Sequence, residues 1–130
     1  NVLVKKDAQD EIAGVLDFGD MVHTPLINDL AVASSYQLAL EGNPLADAGD
    51  FIRAYHETNP LTGTELDLLY DLIAARMATT ACITSWRAAR YPDNRDYILR
   101  NAPRAWAGLK AFADLPREKA QDYLHRLCGA

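Results

Sequence analysis

Asn1 and Asp17 are the residues of this chain whose types and spacing point most directly to chemistry. The aspartate closes the apolar run Gly14-Val15-Leu16 and is followed by Phe18-Gly19-Asp20, so a strand would deliver one carboxylate to its exposed end. A carboxylate and an amide carbonyl are hard oxygen donors, suited to a divalent cation such as Mg²⁺ rather than to zinc or copper. The segment after Asn1 is predicted to pair with the strand that carries Asp17, bringing both oxygens to one end of a hairpin. Gly19 is read as support for the site, letting the backbone turn sharply past the acid. Asp20 is a second carboxylate, either a further metal ligand or an exposed turn acid. Asp29 falls on an otherwise apolar helical face, where a buried acid needs hydrogen-bond donors, and it too is read as structural support. His23 is either the rim of a substrate site or an ordinary turn residue.

The elements that must position these groups follow from periodicity. Val2 to Val4 and Ile12 to Phe18 read as two strands, joined through the charged stretch 5–11 by a loop longer than the tight two-residue type. Gly14 suggests either a bulge or a close backbone approach. A hairpin alone is marginal in water, so it is expected to lie against something else. Pro25 suits a helix start, and an apolar helical run from Leu26 continues to about Leu40, stopped by Glu41-Gly42-Asn43-Pro44. A second helix spans Leu45 to Thr58, buried through Phe51, Ile52 and Tyr55. The third, Glu65 to about Arg90, opens on a Thr62/Glu65 capping box. Its stripe of Leu66, Leu69, Leu72, Ile73, Met77, Ile83 and Trp86 is too broad for a single exposed face, which makes it the central pillar. Ala78-Thr79-Thr80-Ala81 offers small residues for close helix packing. Asp93 or Asn94 would cap a short helix over Tyr97-Ile98-Leu99. A further helix carries Trp106, Leu109 and Phe112, and a last one starts at Leu115-Pro116. The fold class is mainly α: a short N-terminal β-hairpin followed by five or six helices.

Composition narrows the function classes. A chain of 130 residues, 49% hydrophobic and 24% charged, is one domain or a piece of one. A net charge of −5 speaks against a nucleic-acid surface. The scattered arginines Arg87, Arg90, Arg95, Arg100 and Arg104 read as a solvated face, with an anionic-substrate surface as the other reading. Cys82, in an apolar helical run, is expected to be a small buried hydrophobe. Trp86 and Trp106 read as core or interhelical wedges, and His56 and His125 as surface residues. Cys82 and Cys128 form no disulfide framework, and neither a signal peptide nor a membrane-length apolar run is visible, so the expected location is cytoplasmic. The chain opens directly in strand-like residues with no initiator Met, as a piece of a longer protein would.

Several kinds of chemistry lack their residues. The glycines show no G-x-G-x-x-G spacing, no Ser or Cys stands in a nucleophile setting, and no residue is an obvious general base. Half a site is present.

The Asp17-Phe18-Gly19 triplet after a strand, with an upstream Asn, resembles the way protein kinases hold metals on their nucleotide. With Asn28-Asp29-Leu30-Ala31 added, residues 1 to 33 resemble the C-terminal lobe of the aminoglycoside phosphotransferase and choline kinase-like family. The string Asp17 to Ala31, including Met21-Val22-His23-Thr24, is most similar to the hydroxylysine-kinase type, and similar domains occur fused to class III aminotransferases. The resemblance implies the C-lobe of a kinase-like fold, with Asn1 and Asp17 as Mg²⁺ ligands and Asp29 bracing the catalytic loop. It places the catalytic Asp and the nucleotide-binding N-lobe upstream of Asn1, so this chain would be inactive alone. The implied parent is a small-molecule kinase moving the γ-phosphoryl of ATP or GTP, with Mg²⁺, onto a hydroxyl of an amino acid or amino alcohol. Its partners would be a nucleotide and a small hydroxylated amine, with neither nucleic acid nor membrane, and the exposed hairpin edge suggests self-association. The rival readings are a non-catalytic helical binding module and part of a multidomain, aminotransferase-fused enzyme.

Overall fold

The structure is a computed structural model that describes residues 1–129, Asp20 through its backbone only. Strands β1 (Val2–Lys5) and β2 (Ala8–Val15) form an antiparallel hairpin. Helices α1 (Ile27–Ser35), α2 (Ala46–Thr58), α3 (Gly63–Arg90), α4 (Arg95–Leu99), α5 (Ala102–Ala113) and α6 (Arg117–Cys128) follow. This is the mainly α architecture that the periodicity predicts.

The hairpin departs from expectation at its tip. Lys6 and Asp7 make a two-residue turn, and β2 begins at Ala8 rather than Ile12. Every residue of β1 is exposed, and β2 is exposed apart from half-buried Ala8 and Gly14. Charged residues therefore sit on these strands at no desolvation cost, and Lys5 pairs with Glu11. The predicted bulge is present: Leu3 faces Gly14 but Val4 faces Ile12, which leaves Ala13 without a cross-strand partner.

Helix α1 stops at Ser35, five residues short of Leu40. The Ser35 hydroxyl donates to the Val32 carbonyl at 2.7 Å, a back-bond that competes with helix continuation. The chain then folds into a loop in which the Ala39 N–H donates to the Pro44 carbonyl and Leu38 turns into the core. Gly42 takes a left-handed φ of 72° there.

Helix α3 is the pillar. Its N-terminus carries the predicted capping box: the Glu65 N–H donates to the Thr62 hydroxyl, and the Thr62 N–H donates to the Glu65 carboxylate at 2.8 Å. That backbone N–H, and after it the Thr62 hydroxyl, hold the Glu65 carboxyl below the usual range. Leu66, Leu69, Ile73 and Met77 are buried, with α1, α5 and α6 packed around them and α2 packed on α1 and α6. Tyr70 fastens the far side: its ring stacks on Phe112 at 4.7 Å, and its hydroxyl lies 2.9 Å from the Phe112 carbonyl and 3.0 Å from that of Leu115. Burial raises the pKa of this hydroxyl, with the Asp71 charge adding to the effect. Arg117 of α6 forks onto Asp71 of α3 with N–O distances of 2.7 to 3.2 Å.

Beyond Met77 the pillar outruns its cover. Ala81 and Ala88 are buried, with α4 against this part of α3, but Ile83 and Trp86 are 50% and 63% exposed and Cys82 is exposed as well. Cys82, Trp86 and Trp106 are thus surface residues, contrary to the reading from their apolar settings. Trp86 sits under the Arg90 guanidinium instead. Asn94 precedes α4 but makes no capping hydrogen bond. His56 and His125 are half-buried rather than free on the surface. His56 Nδ1 accepts the Leu61 N–H, and His125 Nε2 lies 2.8 Å from Asp67. No described helix is long and apolar enough to cross a membrane.

Close packing of α5 against Met77 of α3 depends on Gly108. A Cβ there would stand 2.4 Å from the Met77 sulfur and 3.3 Å from Leu38. Alanine would add about 1 kcal/mol of helix propensity, but overpacking a core typically costs about 1–3 kcal/mol. Gly108→Ala should therefore lower the thermal midpoint by a few degrees, measured by circular dichroism. The capping box gives a pH signature. A carboxyl held below its unfolded pKa contributes stability that is fully present above the unfolded value and is lost as pH falls through the folded one. Glu65→Gln should be less stable than the wild type at neutral pH, and the gap should close on acidification through the glutamate range in urea melts.

Candidate functional site

Asn1 and Asp17 meet at the open end of the hairpin. The Leu16 N–H donates to the Asn1 carbonyl at 2.8 Å, which draws the two chain segments together beyond the Val2–Val15 pair. The Asn1 side-chain amide then donates to Asp17 Oδ2 at 3.4 Å, with both groups exposed. The sixteen-residue separation is closed by register alone.

The backbone of Asp17 is the unusual feature. Among the described residues it alone combines a side chain with a positive φ, at φ 63° and ψ 62°. The left-handed region costs a residue with a Cβ about 1 kcal/mol or more and recurs where a group must be held in place for function. The strand ends at Val15, and Phe18–Asp20 forms a tight helical turn closed by the Met21 N–H on the Phe18 carbonyl. Asp17 is therefore held between a strand end and a turn, with its carboxylate outward.

The turn is made by Asp17, not by Gly19. Gly19 has no positive φ, and a Cβ on it would meet only Asp17 Oδ1, at an ordinary 3.8 Å. The conformational freedom expected of this glycine is not used. Asp29 lies in the first turn of α1 and is exposed, without a side-chain hydrogen bond among the described residues. The burial expected of it is absent because the apolar face of α1 is carried by Ile27, Leu30 and Ala31. His23 is exposed in the segment between the turn and α1. The Asp20 side chain, the second candidate carboxylate, lies outside the described part of the structure. Nearby, the Asn28 amide donates to the Thr24 hydroxyl at 2.7 Å and ties this segment to α1, a contact that an i, i+4 Thr–Asn pair could have signalled.

This donor set suits Mg²⁺. A half-turn of the Asn1 amide would exchange its NH₂ for its oxygen, so that Asn1 and Asp17 would offer two hard oxygen donors side by side. No three of His, Cys, Asp and Glu gather elsewhere among the described residues. Mg²⁺ needs no such cage, because phosphate oxygens and water complete its shell.

Comparison with known proteins finds relatives over most of the chain. Hydroxylysine kinase of Mus musculus is 26% identical over 128 residues, which cover 94% of this chain and 34% of that protein. The Xenopus laevis hydroxylysine kinase is 27% identical over 128 residues, covering 93% and 34%, and that of Bos taurus 24% identical over 116 residues, covering 89% and 31%. The chain thus spans about a third of the length of these relatives. No solved structure matches. The sequence profile of the phosphotransferase enzyme family matches residues 1–66, which hold the hairpin, the Asp17 turn, α1 and α2. With half of its length matched by that profile, and with the paired Asn1 and Asp17 inside the matched half, the chain belongs to the phosphotransferase enzyme family.

Proposed function

We propose that the chain is the C-terminal lobe of a small-molecule kinase that moves the γ-phosphoryl of ATP or GTP onto a hydroxyl of an amino acid or amino alcohol. The observation that carries this reading is the Asn1–Asp17 pair, presented at 3.4 Å from a left-handed backbone position. Asn1 and Asp17 would hold Mg²⁺, whose charge neutralises the phosphate oxygens during transfer. The names of the hydroxylysine kinase relatives favour a hydroxylated, amine-bearing amino acid as acceptor.

The site is half of what phosphoryl transfer requires. The hairpin residues supply oxygen donors, but none of the described residues beside them is a base aimed at a substrate hydroxyl. In the proposed parent the catalytic Asp and the nucleotide-binding lobe lie upstream of Asn1. The relatives are long enough to contain both, since this chain spans about a third of them. The exposed apolar side chains of the hairpin and its sequel, from Val2 and Ile12 to Phe18, Met21 and Val22, give that remainder a surface to cover. On this reading the isolated chain does not turn over.

Asp17→Asn separates chemistry from folding. Asparagine tolerates the left-handed region about as well as aspartate, so the turn should persist while the ligand charge is lost. In the longer polypeptide containing this chain, the variant should lose phosphorylation of hydroxylysine by orders of magnitude with Mg-ATP or Mg-GTP, at a nearly unchanged melting temperature. Retained activity with a large fall in melting temperature would identify Asp17 as a structural residue and remove its role as a metal ligand, and a wild-type polypeptide that phosphorylates no hydroxylated amine would remove the kinase reading.

A further inference from the structure

Helix α3 is covered on one side only. Its core side holds Ile73, Met77, Ala81 and Ala88, and the helices packed on α3 are α1, α4, α5 and α6. On the opposite side Leu68, Leu72, Ala75, Thr79, Cys82 and Trp86 follow one another at alternating steps of four and three residues. That is the heptad spacing of a helix that meets another helix lengthwise. All six are exposed except half-buried Leu72. One flank of this seam is the hollow between α1, α3 and the start of α5, with Arg76 and Arg104 in its walls. The other flank is α6, fastened through Arg117 to Asp71.

Charge is missing from the seam. The chain is 24% charged, and the solvent side of a helix is where charged residues normally collect. Between Glu65 and Arg90 the seam nevertheless carries none. Asp71 and Arg76, beside its middle, are engaged within their own copy, the first by Arg117 and the second by the Tyr36 hydroxyl at 3.2 Å. The Thr79 hydroxyl donates to the Ala75 carbonyl at 2.8 Å. A helix lying closely over these two small residues would therefore bury no unpaired donor.

We infer that α3 pairs along this seam with α3 of a second copy of the chain, running antiparallel, in a symmetric dimer. The pattern is its own complement about the level of Met77. Reversing one copy sets Leu68 against Trp86, Leu72 against Cys82 and Ala75 against Thr79 of the other. Large side chains then meet at the ends and small ones at the axis, and each pair occurs twice, as a two-fold axis requires. The ends are complementary in charge as well. Glu65 and Arg90 have no ion-pair partner in their own copy among the described residues, and reversal brings them level with each other. A parallel pair would instead set Glu65 on Glu65 and Arg90 on Arg90, and facing like charges are costly. From Glu65 to Ala89 the seam is about 36 Å long and one helix, about 10 Å, wide. This is small for a specific interface, so the dimer is reversible and depends on concentration. The inference stands apart from the phosphotransfer reading.

Sedimentation equilibrium of the 130-residue chain tests the pairing and should show a monomer–dimer equilibrium. Ala75→Glu, which puts a carboxylate at the axis of an exposed face, should weaken dimerisation at least tenfold with an unchanged circular dichroism spectrum. Ile12→Ser, on the hairpin, should leave it unaltered. Orientation is read by thiol crosslinking in a Cys128→Ser background with diamide as oxidant. Leu72→Cys should give disulfide-linked dimers that join the introduced thiol to Cys82 of the other copy. Cys82 alone should not link, because its two copies would stand about 15 Å apart along the seam, beyond disulfide reach. The same Leu72→Cys link should form in the longer polypeptide. A chain that stays monomeric, a dimer lost in Ile12→Ser but kept in Ala75→Glu, or a direct Cys82–Cys82 link would each overturn the inference. So would a longer polypeptide in which Leu72→Cys fails to link, since another part of that polypeptide would then occupy the seam. The crosslink does not depend on Ala75→Glu, so it decides the matter even if that variant misfolds.

Discussion

Leu66, Leu69, Ile73 and Met77 recur at intervals of three, four and four residues, so they run along one side of α3. Helices α1, α5 and α6 find their places by covering that side, and α2 by covering two of those helices. Each of the four side chains is almost wholly removed from water, a gain of roughly 1.5–3 kcal/mol apiece before chain entropy is counted. The polar contacts around them then select one arrangement. The Tyr70 hydroxyl reaches the corner between α5 and α6, and the Arg117–Asp71 fork sets the start of α6 against α3. An ion pair about half exposed adds little stability itself, but a forked one has only one good geometry.

The hairpin stands under a different regime. It buries almost nothing and carries its site on a residue whose backbone is under strain. Strain of this kind persists when the neighbouring structure over-determines it, and here the neighbours are the Leu16–Asn1 hydrogen bond on one side and the Phe18–Asp20 turn on the other. A two-stranded ribbon is marginally stable alone. The part of the molecule with the clearest chemistry is therefore the part least supported by the helical core.

Much of this was legible because it depends on short-range rules. The capping box at Thr62 and Glu65, the bulge at Gly14 and the meeting of Asn1 with Asp17 each follow from local spacing or from strand pairing. What was not legible depends on which faces find cover. Trp86 and Cys82 occupy apolar settings along α3, yet no helix covers that side of it, and a one-dimensional pattern cannot tell a covered stripe from a bare one. The exposure of Asp29 was hidden for the same reason, because a helix face that looks apolar in projection is wet one position further round. At Gly19 the difficulty is another: glycine is the usual choice for a left-handed turn, but aspartate also enters that region, and here Asp17 takes the positive φ. Gly108 carried no local signal, since its close approach to Met77 exists only once α3 and α5 are together.

The charge of the chain shows why composition and site must be read on different scales. A net charge of −5 suggests attraction to cations, and that holds for the far field that steers encounter. At physiological salt, however, exposed charges are screened over about 8 Å, so a bound ligand responds mainly to the groups that line its pocket. Around the cleft between α1, α3 and α5 those groups are two arginines and no acid, whereas at the hairpin mouth the ionic group is the Asp17 carboxylate. Opposite charges carried on different elements leave each group to answer to its own surroundings, so the sign of the net charge predicts neither the arginine-lined cleft nor the exposed carboxylate at the hairpin mouth.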